Sequence, residues 1–224
     1  MLALLHTSPV HVPVFDALRD AQRPSLVLRH FVHEDLLARA RAEGPQALAP
    51  AVAAVLAEAV DDGASAVLCT CSTIGAVAEA CAAGLGIPVL RVDRPMAAAA
   101  AGHRRIVVVA ALNSTLEPTA DLIREEAAGR DHELRTIVVE GAWERFEAGD
   151  RDGFLDAIAA AANAVRAADV IVLAQVSMAD AADRTTTTVP VLSSPGPGLR
   201  AAADAARSPD RNQPPGAVDE CSGE

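Results

Sequence analysis

The chain repeats itself. Its first half carries LLHTSPVHVPVFDALRDA, AVLCTCSTIGAVAEA and IPVLRVDRPMAAAA; its second half carries VAALNSTLEPTADLIREEA, VIVLAQVSMADAAD and VPVLSSPGPGLRAAAD. Each block reads as an apolar strand, a polar loop and a helix, in the same order, at an offset of about 105 residues. Such a duplication predicts two similar lobes related by a pseudo-twofold axis.

Short apolar runs bounded by turn signals mark strands buried on both faces, as in a parallel sheet. We place them at Leu2–Leu5, Ser25–Leu28, Ala66–Leu68, Pro88–Val92, Ile106–Leu112, Thr136–Val139, Val170–Ala174 and Val189–Leu192. Alanine-rich helical segments fall between them at Gln46–Val60, Ile74–Ala83, Met96–Ala101, Glu117–Ala127, Asp152–Ala167 and Gly198–Ala206. Asp152, and Pro118 near a first turn, mark helix starts. The expected fold is α/β: two lobes, each with a mainly parallel four-stranded sheet flanked by helices, and a cleft between them. Residues 1–102 form the first lobe and 103–207 the second, with C-terminal elements of the second free to return to the first. From Ser208 the chain reads SPDRNQPPGAVDECSGE, which predicts a disordered tail and sets Cys221 aside.

Ligands of parallel sheets bind beyond the carboxyl ends of the strands. The loops that meet there are His6–Ser8 and Cys71–Thr73 from one lobe, Asn113–Thr115 and Gln175–Ser177 from the other. The candidate binding residues are therefore His6, Thr7, Ser8, Ser72, Thr73, Asn113, Ser114, Thr115, Gln175 and Ser177, around Cys71 as candidate catalytic thiol. Cys71 stands where a strand hands over to a helix. Free amides and the positive end of the helix dipole favour a thiolate there. Such settings draw a cysteine from about 8.5 into the range of about 3.5–7.5. The same amides accept a carboxylate or an enolate oxygen. Cys69 reads as part of the strand, and Cys81 as helix core.

Several chemistries are excluded by what is missing. There is no lysine, so neither a pyridoxal Schiff base nor a P-loop is available, and there is no tyrosine. Cys69 and Cys71 stand in a C-x-C spacing without a second pair, which argues against zinc, and a disulfide framework is not expected in so large and apolar a chain. In RHFVHED (Arg29–Asp35) the order does not match H-E-x-x-H, and a solvated or cleft-side loop is expected, with no metal. SSPGPG (Ser193–Gly198) reads as a turn before the last helix. With 30 acidic against 19 basic residues and 2% aromatics, nucleic acid is not an expected partner. No apolar run reaches the roughly 18 residues of a membrane span. MLALLHTSPV reads as a first strand and not a leader, so a cytoplasmic protein is expected. The apolar excess makes a homodimer plausible.

The duplicated lobes, Cys71-Ser72-Thr73 after a buried strand, and Leu112–Thr115 with Pro118 and Thr119 together resemble the aspartate/glutamate/hydantoin racemase superfamily, over about residues 1–206. The resemblance implies an enzyme that uses no cofactor and acts at the α-carbon of a small carboxylate, flanked by one cysteine from each lobe. It places the first cysteine at Cys71. At the second-lobe position the chain reads Leu173-Ala174-Gln175-Val176-Ser177-Met178, with Gln175 where the second cysteine would stand. A carboxamide is no proton-transfer base near neutral pH. A single-thiol racemase or isomerase is the expectation. A decarboxylase, a thiol nucleophile of the maleate-isomerase kind and a non-catalytic two-lobed metabolite-binding protein remain open.

Overall fold

The computed structural model describes residues 1–207. The tail expected from Ser208 onward, with Cys221, lies outside the described residues. The first lobe contributes strands β1 (Leu2–His6), β2 (Leu28–Val32), β3 (Ala66–Cys69) and β4 (Val89–Arg91), and the second β5 (Arg105–Ala110), β6 (Glu133–Val138), β7 (Val170–Leu173) and β8 (Val191–Ser193). All neighbours pair in parallel, in the orders β2-β1-β3-β4 and β6-β5-β7-β8. The second sheet repeats the first with every strand number raised by four, as the duplication requires.

The central strands were legible because each of their residues is covered. LALLH, AVLC and VIVL are buried throughout. The edge strands obey a different rule, since one side of each meets solvent. Strand β2, LRHFV, buries only Phe31 fully. It therefore begins three residues and ends four residues beyond the expected Ser25–Leu28, pairing Leu2 with Leu28 and His6 with Val32. This corrects the reading of Arg29–Asp35 as a loop: the segment is an edge strand followed by a helix.

Nine α-helices connect the strands among the described residues: α1 (His11–Gln22), α2 (Glu34–Glu43), α3 (Ala49–Asp61), α4 (Ser72–Ala80), α5 (Arg94–Ala100), α6 (Asn113–Ala127), α7 (Ala142–Glu147), α8 (Arg151–Ala164) and α9 (Pro195–Arg207). Two 3-10 segments, Pro45–Leu48 and Val176–Arg184, join them. Helix α6 begins at Asn113, so Pro118 sits inside it and not at its first turn. Helix α8 is capped by Asp150, whose carboxylate accepts the Gly153 amide at 3.0 Å, in place of the expected Asp152.

Four apolar clusters fill the faces of the two sheets. On the first sheet, Leu36, Val52, Leu56 and Ile74 pack with Leu5 and Val67 on one side, and Phe15, Leu199 and Ala202 pack with Leu4 and Leu68 on the other. On the second, Phe154, Leu155 and Ile158 cover Val109 and Leu173, while Met96, Ala100, Leu122 and Ile123 cover Val108 and Val172. The lobes thus exchange helices. Helix α5 follows β4 but packs beneath the second sheet, and α9 follows β8 but packs against the first. Gly198 permits this crossing: a Cβ there would meet the Val92 carbonyl oxygen at 2.5 Å. Arg91 adds a polar tie. Its guanidinium binds Asp93 bidentately at 2.7 and 2.9 Å and reaches the Pro118 carbonyl of α6 at 3.2 Å. Both ionic partners are almost fully buried, so each needs the other's charge.

Candidate functional site

The carboxyl ends of β1, β3, β5 and β7 face a cleft between the lobes, with about 430 Å³ of space including its mouth. From the first lobe, Thr7, Ser8, Thr70, Cys71, Ser72 and Thr73 line it; from the second come Leu112, Thr115, Gln175, Val176 and Ser177. Eight of the eleven residues singled out in the sequence thus converge there.

Cys71 is the N-cap of α4, in an extended conformation with φ −112° and ψ 115°. It is 7% exposed, with that small window on the cleft. The buried Cys69, two residues earlier, is a different kind of cysteine. Burial, first of all, pushes its thiol well above the usual range, with the neighbouring Cys71 and Asp93 adding to the effect. It stays protonated and points its Sγ at the Cys71 carbonyl, 3.7 Å away.

Gln175 faces the cleft from the opposite lip. It caps the 3-10 segment Val176–Arg184 with φ −122° and ψ 143°, close to the Cys71 conformation. Its Oε1 accepts the Ala111 amide at 2.7 Å. That bond settles which way the carboxamide points: the oxygen is spent on the backbone and the NH₂ group is left as a donor. Ser72 also ties the lobes, donating to the Ala174 carbonyl at 3.0 Å.

Three of the expected residues do not line the cleft. His6 is fully buried behind it. Thr70 Oγ1 donates to the Leu5 carbonyl at 3.1 Å and so accepts from His6 Nδ1 at 2.7 Å. His6 Nε2 must then accept from His30 Nδ1 at 2.8 Å. Both ring nitrogens are used internally, and burial, followed by the nearby His11 and His30, pushes His6 down to about 3. It is a neutral structural histidine that holds Thr70. Asn113 is exposed at the start of α6. Ser114 lies over a separate cavity on the α4–α6 side, beside Glu117 and Arg91. Only Thr115 of that trio turns toward the cleft.

Other residues line it that sequence reasoning passed over. His11, the first residue of α1, is 8% exposed, and its Nδ1 is buried without a partner. An unpaired buried nitrogen costs about 1–3 kcal/mol. Burial pushes His11 down to about 4, so it is neutral at pH 7. The duplication carried the signal for it: the offset of about 105 residues that relates Cys71 to Gln175 also relates His11 to Thr115. Leu37 of α2 and the stacked pair Trp143 and Phe146 of α7, with ring centroids 4.8 Å apart, complete the wall. No Asp, Glu or Arg side chain among the described residues lines the cleft. Among the described residues, no cluster of three or more His, Cys, Asp or Glu is arranged to hold a metal ion, and no helix is long and apolar enough to cross a membrane.

The sequence profile described as Asp/Glu/Hydantoin racemase matches residues 12–202. The chain belongs to that family. No curated protein matches it by sequence. Among solved structures, glutamate racemase from Francisella tularensis in complex with D-glutamate superposes with a TM-score of 0.70 at 13% identity, over 91% of this chain and 79% of that one. Arylmalonate decarboxylase superposes with a TM-score of 0.60 at 19% identity, over 93% and 94%. Glutamate racemase from Thermus thermophilus in complex with β-chloro-D-alanine gives 0.62 at 18% identity, over 91% and 79%. At these identities the likeness is one of fold. Within the racemase family's two-lobed frame, this chain sets a thiol on one lip of the cleft and a carboxamide on the other.

Proposed function

We propose that the protein is a cofactor-independent enzyme acting at the α-carbon of a small carboxylate, with Cys71 as its single thiol acid/base. One observation carries this reading: Cys71 opens onto the interlobe cleft from the N-cap of α4, where free backbone amides can also receive a bound oxyanion. The thiolate takes the α-proton. The electron pair moves into the bond to the carboxyl carbon, and the resulting enediolate is held by backbone amides, the Thr73 and Ser8 hydroxyls and the Gln175 NH₂.

The lining also narrows the substrate. A distal carboxylate, as in glutamate or aspartate, would be desolvated against Leu37, Trp143 and Phe146 with no cation to meet it, at considerable cost. An apolar or aromatic side chain fits that wall better.

A second reading is favoured by Gln175. A carboxamide opposite the thiol cannot relay a proton, so protonation from one face, as in decarboxylation of an α-substituted malonate, suits the cleft. Loss of carbon dioxide leaves the same enediolate, and the Cys71 S–H supplies the proton.

The test is incubation in deuterated water with phenylalanine, glutamate, 5-benzylhydantoin and phenylmalonate. Wild type is expected to exchange, racemise or decarboxylate an aryl-bearing member faster than glutamate, and Cys71→Ala to do neither. Full activity in Cys71→Ala removes the assignment. Thermal stabilisation by these compounds without turnover would instead favour a binding protein.

A further inference from the structure

We infer that His11 is a further catalytic residue: a neutral imidazole that donates a hydrogen bond to the substrate carboxylate and holds it as it becomes an enediolate. The inference rests on the proposed reaction at Cys71, whose charge it helps to place.

Three observations carry it. His11 lines the same cleft as Cys71, and it is more than nine-tenths buried there. Its Nδ1 has no partner, whereas His6, with its ring centroid 6.0 Å away, has both nitrogens satisfied within the protein. A buried polar atom without a partner calls for an explanation, and a catalytic role or a bound ligand or water is one. Finally, the cleft wall offers no cation, so the negative charge of a carboxylate must be met by neutral donors.

The groups around the ring keep it neutral. His6 packs on one side, Cys71 shares the cleft, and no carboxylate lines the space to stabilise an imidazolium. The imidazole also opens helix α1, and the positive end of a helix dipole opposes a cation. A neutral N–H can hydrogen-bond a developing oxyanion without giving up its proton. In the step itself the Cα–H bond breaks and an S–H bond forms on Cys71. The freed pair enters the bond between Cα and the carboxyl carbon, and the carboxylate oxygens take the charge. The His11 ring keeps its proton and its bond to one of those oxygens shortens.

Two variants and one spectrum decide the matter. With phenylalanine, whose Cα–H breaks, or phenylmalonate, whose loss of carbon dioxide builds the same enediolate, His11→Phe is expected to lose about 10²–10³-fold in kcat with little change in KM, the pattern of a bond made in the transition state. His11→Gln, which keeps a neutral donor, is expected to regain about tenfold of that loss and to share the wild-type pH profile between pH 6 and 8. A merely structural role would lower the thermal stability of both variants and leave kcat of the folded fraction unchanged. That result overturns the inference. Should His11→Phe fail to fold, ring nitrogen NMR of Cys71→Ala protein with phenylmalonate decides instead. The His11 resonances are expected to move on saturation while keeping neutral-tautomer positions. Binding that leaves them unmoved overturns the inference and spares the proposed function. If wild type neither turns over nor binds either probe, both fall together.

Discussion

After β3 the chain passes through Thr70 and Cys71 into an α-helix, Ser72–Ala80; after β7 it passes through Ala174 and Gln175 into a 3-10 segment, Val176–Arg184. Backbone conformation at Cys71 and Gln175 is nearly the same, and the two residues face one cleft. Their surroundings are not equivalent. Behind Cys71, Thr70 is held by the His6–His30 pair; the corresponding positions of the second lobe, Ala110 and Ala174, are plain core. The side chain of Gln175 folds back on the Ala111 amide, while Cys71 makes no side-chain capping bond. Duplication preserved the scaffold and let the two lips part. One carries a thiol, and the other a carboxamide whose oxygen is tied to the backbone.

The strongest way to break this contrast is to alter both lips. Removing the thiol in Cys71→Ala is expected to cost about 10²–10⁴-fold in turnover. Gln175→Ala should cost about tenfold, the loss of one hydrogen-bond donor. Gln175→Cys restores a thiol on the second lip, and chiral chromatography should then show the product losing its single hand. An unchanged product ratio would mean that the lips do not face the same α-carbon.

Acid separates the lobes next. The buried polar histidines His6 and His11 belong to the first, with folded-state values near 3 and 4 against about 6.5 for a free histidine. The unfolded chain therefore binds protons first. Their contribution is whole above about pH 6.5 and is lost as pH falls toward the folded-state values. At pH 5 each histidine should cost about 2 kcal/mol relative to pH 8. Urea unfolding at the two pH values checks this, and His11→Gln should remove about half of the difference.

The crossing helix comes third. Gly198→Ala should destabilise by about 1–3 kcal/mol because its Cβ would displace the Val92 backbone. Gly196→Ala, whose Cβ would meet only the ends of Arg200 and Gln22 side chains at 3.5 Å, is the matched control with little effect. The smallest effect belongs to Ser72→Ala, which removes one bond between the lobes and should cost about 0.5–1.5 kcal/mol in thermal or urea unfolding.

Sequence alone determined the repeated architecture, the central strands and the thiol at a strand-to-helix junction. It could do so because strands covered on both faces must read as unbroken apolar runs, and because a turn between strand and helix leaves polar residues in a short, local signature. The tertiary structure decided which polar side chains reach the cleft. His6 and His11 are five residues apart in one polar stretch, yet pairing of β1 with β2 gives His6 a histidine neighbour and seals it, while the start of α1 turns His11 to the opening. Leu37, Trp143 and Phe146 come from short amphipathic helices whose pattern does not say what they face. The exchange of α5 and α9 between lobes is likewise settled by contacts far apart in the chain. Local periodicity records whether a face is covered, and only long-range packing settles what covers it.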